Sequence, residues 1–218
     1  SQRSPATAAL RQDERATHAT ATALSESLRR RVLALQGLAD RATDGRPPAA
    51  ILVQSGYLAP DFDGGLAFFT PEGELLAASK TPVAWNQRPL TATLASAFAR
   101  NEPVFASSPA EGEAAFLLAA PATNRTVIAV GAFSMQSLSV ADLANRLGAG
   151  SHATTFILDK TGRILFQSGP GRLELDQATE ACLQTASCGE SSTNYTYGAE
   201  GSEYVVVYNL IRPTGWAL

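Results

Sequence analysis

The stretch TTFILDKTGRILFQSG (residues 154–169) aligns without a gap with the stretch LAFFTPEGELLAAS (residues 66–79). The shift between them is 162 − 73 = 89 positions, which places Gly73 on Gly162 and Ser79 on Ser168. Each stretch is an apolar run, a short polar turn around a glycine, and a second apolar run, which is the pattern of a β-hairpin. The same hairpin therefore occurs twice, and the recurrence predicts that a whole sheet module is repeated.

The N-terminal segment predicts one long helix. Residues 8–43 contain no proline and Gly37 as their only glycine, and they are rich in Ala, Arg, Leu and Glu. Their apolar residues recur at spacings of three, four or seven and form a stripe: Leu24, Leu28, Leu35, Leu38 and Ala42. Arg31 falls on this stripe. Two interpretations stay open, a helix packed on its own domain and a stalk or dimer seam.

The remaining pattern predicts an α+β fold, a long N-terminal helix followed by two antiparallel-sheet modules in tandem. DGRPPA ends the helix, because the paired prolines cannot continue it. We expect three domains: a stalk helix (1–45), a first sheet module (46–136), and a connecting helix with a second sheet module (137–218). The predicted strands are 65–70, 74–79, 103–107, 114–120, 126–134, 154–159, 163–168, 193–198 and 203–211, with helices at 91–101 and 137–148.

Composition excludes several classes of protein. In 218 residues, 45% are hydrophobic and 17% are charged, which excludes a disordered chain. The net charge of −3 argues against a nucleic-acid partner. GAGSHA (148–153) follows a helix and precedes a strand, the reverse of the order in a dinucleotide-binding loop. DFDGG (61–65) lacks the remaining oxygen ligands of a calcium loop. We therefore predict no catalytic residues, no metal and no cofactor.

The two cysteines, Cys182 and Cys188, lie six residues apart in ACLQTASCGE. A disulfide between them would place the chain outside the reducing cytosol. Their spacing fits no zinc site when the only histidines are His18 and His152. We expect the disulfide; the alternative is two unrelated thiols.

Taken together, the long helix, the repeated module, FILDKTGRILFQSG at the start of the second module and YVVVYNLIRPTGWAL at its end resemble a known family. It is the double Cache (dCache) family, the extracytoplasmic sensor domains of bacterial transmembrane receptors, built from tandem PAS-like modules. The resemblance covers roughly residues 20–218. It implies a membrane-distal first module, a membrane-proximal second module, and membrane helices on both sides that are absent from this chain.

The resemblance also implies a function. We expect the extracytoplasmic part of a receptor in the cell membrane, most simply a sensor histidine kinase, which binds a small metabolite and acts as a homodimer in the full-length receptor. The alternatives are the sensor of a chemoreceptor, diguanylate cyclase or phosphatase, and a ligand-independent secreted or anchored binding module. An enzyme on this scaffold would need a nucleophile–base pair that the sequence does not offer.

We predict the ligand site in the first module. The loop at residues 80–89 offers Trp85 as a flat apolar wall and Arg88 as a planar fork for a carboxylate. The strands beneath it would supply the pocket floor: Phe68, Ser79, Ser107 and Phe116. The competing interpretation is that Trp85 fills the core and that Arg88 pairs with a surface glutamate.

The loop departs from the pattern of family members that bind amino acids. Those members resemble one another in an Arg-x-Trp-Tyr run after the first hairpin and an Asp at the end of the first module. This chain has TPVAWNQRPL, and VGAFSM places Ala132 or its neighbours at the Asp position. A ligand ammonium would lack its carboxylate partner. The pattern therefore favours a small carboxylate without an obligatory amine.

Overall fold

A computed structural model of the chain describes residues 5–80, 85, 90–108, 115–148, 153–171, 173, 177, 180–181, 189, 191–197 and 203–218. The chain divides into two compact units. We call Arg29–Leu138 the first unit, and Ser1–Leu28 together with Ser139–Leu218 the second unit. None of the helices in the described ranges is long and apolar enough to span a bilayer.

Helix α1 (Pro5–Arg41) contributes residues to both units. The predicted apolar stripe is buried in the structure at its four leucines: Leu24, Leu28, Leu35 and Leu38. Its last residue, Ala42, lies just beyond the end of the helix and is half-buried. Arg31 is buried with them at 2% exposure. The helix is followed by Gly45 at φ 77°, a left-handed conformation that glycine adopts without steric cost. The prediction of one long helix is confirmed. The charged residue on its apolar stripe, Arg31, is buried.

A second helix, α2 (Pro48–Gln54), follows the turn and was not predicted. Pro48 is at its first position, where the missing N–H costs no intrahelical hydrogen bond. Ile51 and Leu52 are buried. A 3-10 turn at Gly56–Leu58 then leads into the first sheet.

The first unit contains a five-stranded antiparallel sheet in the order β2-β1-β5-β4-β3. Helix α3 (Thr91–Arg100) lies between its second and third strands in sequence. The strands are β1 (Gly65–Phe69), β2 (Leu75–Ala78), β3 (Val104–Ser108), β4 (Ala115–Pro121) and β5 (Ile128–Ser134).

The second unit contains a sheet with the same connectivity, in the order β7-β6-β10-β9-β8. Helix α4 (Val140–Gly148) precedes it. The strands are β6 (Thr155–Leu158), β7 (Ile164–Ser168), β8 (Ser191–Tyr197), β9 (Glu203–Ile211) and β10 (Trp216–Ala217). The predicted α+β fold with two sheet modules is confirmed.

The two hairpins repeat in strand pairing as well as in sequence. Phe69 pairs with Leu75 in the first, and Leu158 pairs with Ile164 in the second. Both pairs are related by the same shift of 89 positions that aligns the two stretches of sequence. A β-bulge immediately precedes Phe69 and, at the equivalent place, Leu158. Residues that face each other in the first hairpin therefore correspond, 89 positions later, to residues that face each other in the second.

The turns of the two hairpins are also alike. The N–H of Gly73 donates to the carbonyl of Thr70, and that of Gly162 donates to the carbonyl of Asp159, both at 2.9 Å. The glycines have φ values of 92° and 84°, so each position needs a residue that tolerates the left-handed region. This explains why both stretches have a glycine at the same place in the turn.

The sheets continue the same offset beyond the hairpins. Phe69 pairs with Ile128 on the central strand β5, and Leu158 pairs with Ala217 on β10. Ile128 and Ala217 are again 217 − 128 = 89 positions apart. A single sequence shift thus relates three strands of one sheet to three strands of the other.

The first sheet has two different faces. One face packs on α3, and we call it the α3 face. Its core consists of Ala67, Phe69, Trp85, Leu90, Leu94, Ala97, Leu117, Ala119, Ile128, Val130 and Ala132. The other face, which we call the aromatic face, places the rings of Phe62, Phe105 and Phe116 around Phe133 at centroid distances of 6.3, 6.5 and 5.7 Å.

Candidate functional site

Trp85 lies in the core of the α3 face. Its side chain is 1% exposed, and its ring meets that of Phe69 edge-on, with centroids 6.3 Å apart and an interplanar angle of 65°. Helix α3 contributes Leu94 and Ala97 to the same core. A ligand that touches Trp85 must therefore enter the layer between α3 and the sheet.

Three of the predicted floor residues lie on strands but on the other side of the sheet. Phe116 is part of the aromatic face, and Ser107 pairs with it across β3 and β4. Phe68 and Phe69 are adjacent on β1, so their side chains lie on opposite faces of the sheet, and it is Phe69 that faces α3. The structure therefore separates Phe68, Ser107 and Phe116 from Trp85 by the thickness of the sheet.

Ser79 has a local structural role at the end of the first hairpin. Its hydroxyl accepts a hydrogen bond from the N–H of Leu66 at 2.8 Å. Its own N–H donates to the carbonyl of Leu66, also at 2.8 Å. Ser79 thus extends the β1–β2 pairing by one residue.

The other predicted positions, Arg88, Cys182 and Cys188, lie outside the described residues. The ligand role of Arg88 and the disulfide stay predictions.

Arg31 is a buried polar centre that the sequence did not assign to a site. Its Nε–H donates to the carbonyl of Asp61 at 3.0 Å, and Nη2 donates to the carbonyl of Ser137 at 2.9 Å. Nη2 also lies 3.5 Å from the Asp61 carboxylate, and the guanidinium stands 5.4 Å over the ring of Phe133. The available signal was a charged residue inside a leucine stripe. Its partners lie 30 and 106 positions away, so the stripe alone could not identify them.

The electrostatics of Arg31 follow from this setting. Burial lowers its pKa most strongly, the Coulomb interactions with Asp61 and Asp63 raise it, and that with Arg30 lowers it further. An arginine nonetheless stays protonated in a protein. The aromatic face therefore holds a permanent positive charge that is stabilised by fixed hydrogen bonds and two nearby carboxylates.

The DFDGG segment fastens the loop before β1 to the end of β5. The carboxylate of Asp63 accepts a hydrogen bond from the N–H of Ser134 at 2.8 Å and another from its hydroxyl. Gly64 donates its N–H to the carbonyl of Ala132 at 2.9 Å, and a Cβ there would lie 2.7 Å from the Ala132 Cβ. The acidic residue and the glycine therefore serve tight loop packing.

No protein-family model and no curated protein matches the chain. Solved structures do match it. The extracellular domain of a protein designated histidine kinase rpHK1S-Z16 is 14% identical with a TM-score of 0.67, and the match covers 98% of this chain and 93% of that one. The ligand-binding domain of the Pseudomonas aeruginosa amino-acid chemoreceptor PctB, in complex with L-Gln, is 18% identical with a TM-score of 0.59, covering 93% and 86%. The chain has the double Cache fold.

A third match agrees with the double Cache fold. It is the ligand-binding domain of the Campylobacter jejuni chemoreceptor Tlp3 in complex with 4-methylisoleucine, which is 10% identical with a TM-score of 0.55, covering 97% of this chain and 89% of that one. The first match is named as the extracellular domain of a histidine kinase, and the other two are named as ligand-binding domains of chemoreceptors.

Within this double Cache fold, Ala132 lies in the same core as Trp85. Ala132 or its neighbours stand where the amino-acid-binding pattern would place an Asp. The strands contribute alanine, aliphatic and aromatic side chains to this hydrophobic core, among them Ala67 and Ala119. At the same end of β5, the carboxylate of Asp63 accepts hydrogen bonds from the N–H and the hydroxyl of Ser134, two residues beyond Ala132.

Proposed function

We propose that the chain is the extracytoplasmic ligand-sensing domain of a bacterial membrane receptor, and that this receptor is a sensor histidine kinase. The observation that carries the proposal is the likeness of nearly the whole chain to the extracellular domain of the protein designated histidine kinase rpHK1S-Z16. Flanking membrane helices and a homodimer in the full receptor belong to the same proposal. The chain itself acts as a sensor and not as an enzyme.

A chemoreceptor is the second candidate, because PctB and Tlp3 have the same fold. The sensing role is common to both candidates, and they differ in the cytoplasmic output domain. The gene sequence downstream of this chain separates them: a kinase domain supports the first candidate, and a methyl-accepting domain supports the second.

We place the ligand on the α3 face of the first unit, with Trp85 as a wall. The proposed ligand is a small carboxylate, which Arg88 binds through its guanidinium. The stretch VGAFSM has Ala132 or its neighbours where amino-acid-binding members have an Asp, and this supports a ligand without an obligatory amine. Phe68, Ser79, Ser107 and Phe116 have no direct part in this proposal.

The test is a thermal-shift screen of the chain against organic acids and amino acids. A ligand present at about 100 times its Kd adds about 2.7 kcal/mol to the free energy of unfolding. Arg88→Ala should abolish the shift that a carboxylate causes. Arg46→Ala, an exposed arginine in the turn after α1, is the matched control and should keep it. Unaltered affinity in Arg88→Ala would contradict the site.

Fluorescence tests the role of Trp85 without removing it from the core. The chain has two tryptophans, so Trp216→Phe leaves Trp85 as the only indole. Saturation with the acid found in the screen should change the emission of this variant. If emission stays unchanged while the thermal shift persists, the ligand binds away from Trp85. If the screen yields no ligand at all, the ligand-independent binding module becomes the better interpretation.

A further inference from the structure

Arg31 connects the two segments through which the first unit continues into the second. The chain enters the first unit at Arg29, two residues before Arg31, and leaves it after Leu138, one residue after Ser137. The hydrogen bond from Arg31 Nη2 to the Ser137 carbonyl, at 2.9 Å, lies inside the first unit and joins these two segments. The side chain of Arg31 therefore fixes helix α1 to the 3-10 turn Gln136–Leu138 that follows β5.

The same side chain is held against β5. Phe133 lies on β5 under the guanidinium, and Ser134 ends that strand. The hydroxyl of Ser137 donates to the carbonyl of Ser134 at 2.8 Å, and the N–H of Ser134 donates to the carboxylate of Asp63, also at 2.8 Å. A displacement of the end of β5 therefore moves both the ring and the carbonyl that position Arg31.

Strand β5 also forms part of the α3 face. Val130 and Ala132 belong to the core that contains Trp85, while Phe133, the next residue, points to the aromatic face. Because adjacent strand residues share one backbone, a shift forced on Ala132 from the α3 face reaches Phe133 directly. The interior is densely packed, so such a shift is transmitted and not absorbed by empty space.

We propose that Arg31 is the positioning residue through which β5 sets the placement of α1, so that occupancy of the α3 face is read out by this helix. The proposal rests on the sensing function proposed above. For a ligand to use this route, it must bind with different affinity to the arrangements of β5 that hold and release Arg31.

Two core variants test the route without any ligand. Val130→Ala opens space on β5, and Leu94→Ala opens space in the same core but on α3; both side chains are buried. The readouts are the Nε–H NMR signal of Arg31 and amide hydrogen exchange over residues 29–38, normalised to exchange in β4. We expect Val130→Ala to shift the Arg31 signal and to raise the normalised exchange about tenfold. Leu94→Ala removes atoms from α3 and none from β5, so it should change both readouts less than Val130→Ala does.

A double-variant cycle identifies Arg31 as the link. Arg31→Met fills similar space without the hydrogen bonds, and in that background Val130→Ala should no longer change exchange in α1. Ser137→Ala retains the carbonyl and serves as the milder variant if Arg31→Met does not fold; it should reduce the response to Val130→Ala. An equal response in the wild-type and variant backgrounds, or no response to Val130→Ala in the wild type, overturns the proposal.

The exchange experiment and the ligand screen test different claims, so either can fail without the other. A negative exchange result removes the role of Arg31 and leaves the sensing function standing, because no ligand is used. A negative screen with a positive exchange result removes the carboxylate ligand and leaves the mechanical connection between β5 and α1.

Discussion

Substituting Gly131 by alanine is the sharpest test of how the aromatic face is packed. Gly131 lies on β5, and an added Cβ would stand 2.3 Å from Cδ1 and 2.4 Å from Cε1 of Phe62. Carbon atoms do not approach this closely, so the ring or the strand must move. Phe62 is only 1% exposed and meets Phe133 edge-on at 78°, which leaves its ring no open side.

The expected magnitude combines two opposite effects. Glycine inside a strand is ordinarily less favourable than alanine by roughly 0.5–1 kcal/mol, so the substitution gains this amount from the backbone. Overpacking of a tight core costs roughly 1–3 kcal/mol. We expect Gly131→Ala to lower the free energy of unfolding by about 1–2 kcal/mol. Gly37→Ala should have the opposite effect and stabilise the chain. Apart from its chain neighbours and the nearby backbone of its own helix, no atom lies within 4 Å of the new Cβ, and alanine is favoured over glycine in a helix by about 1 kcal/mol.

Urea unfolding followed by circular dichroism measures both changes on the same chain. The variant Phe62→Leu removes the ring edge that the new methyl would meet. In that background Gly131→Ala should cost less than in the wild type, because the two sites share one space. The described packing would be refuted if Gly131→Ala had the same free energy of unfolding as the wild type. It would also be refuted if Phe62→Leu did not reduce the cost of Gly131→Ala.

Three further predictions concern other parts of the chain. Leu35→Asp buries an unpaired charge and should lower stability by several kcal/mol in a thermal melt, whereas Leu33→Asp, at a position 62% exposed, should change it little. Hydrogen bonds and a nearby arginine outweigh burial and hold the pKa of Asp159 below its usual range. Asp159→Ala should therefore lower the free energy of unfolding at pH 7, and this loss should disappear as the pH falls through the lowered pKa. The predicted bond between Cys182 and Cys188 should leave no alkylatable thiol before reduction in an intact-mass measurement, with stabilisation near the low end of about 2–4 kcal/mol.

The repeated hairpins could be predicted in detail because a hairpin is a local structure. A turn with a left-handed glycine fixes which residues face each other on the two flanking strands. Gly73 and Gly162 mark that turn in the sequence, and the offset of 89 positions between them recurs in the strand pairs of the structure. The long helix could also be predicted from the sequence, because its apolar stripe and the prolines that end it lie within one segment of the chain.

The floor of the site could not be predicted because the strands of the first sheet are buried on both faces. Every residue of β1 is buried, so no apolar–polar alternation distinguishes Phe68 from Phe69. Choosing between neighbours is then a choice between the two faces of the sheet. Phe69 lies with Trp85 in the α3 face, whereas Phe116 lies with the aromatic rings on the other side.

Arg31 shows why a buried charge on an apolar stripe is informative. Replacing a buried ion pair by apolar residues of similar volume is often neutral or stabilising, so stability alone does not account for an arginine there. Its hydrogen bonds instead require particular carbonyls, those of Asp61 and Ser137, at particular places. A leucine at this position would accept any nearby apolar surface, and α1 could then pack in several arrangements. We infer that Arg31 serves to select one arrangement of α1 on the first unit, which is the property that a helix needs if it is to report the state of β5.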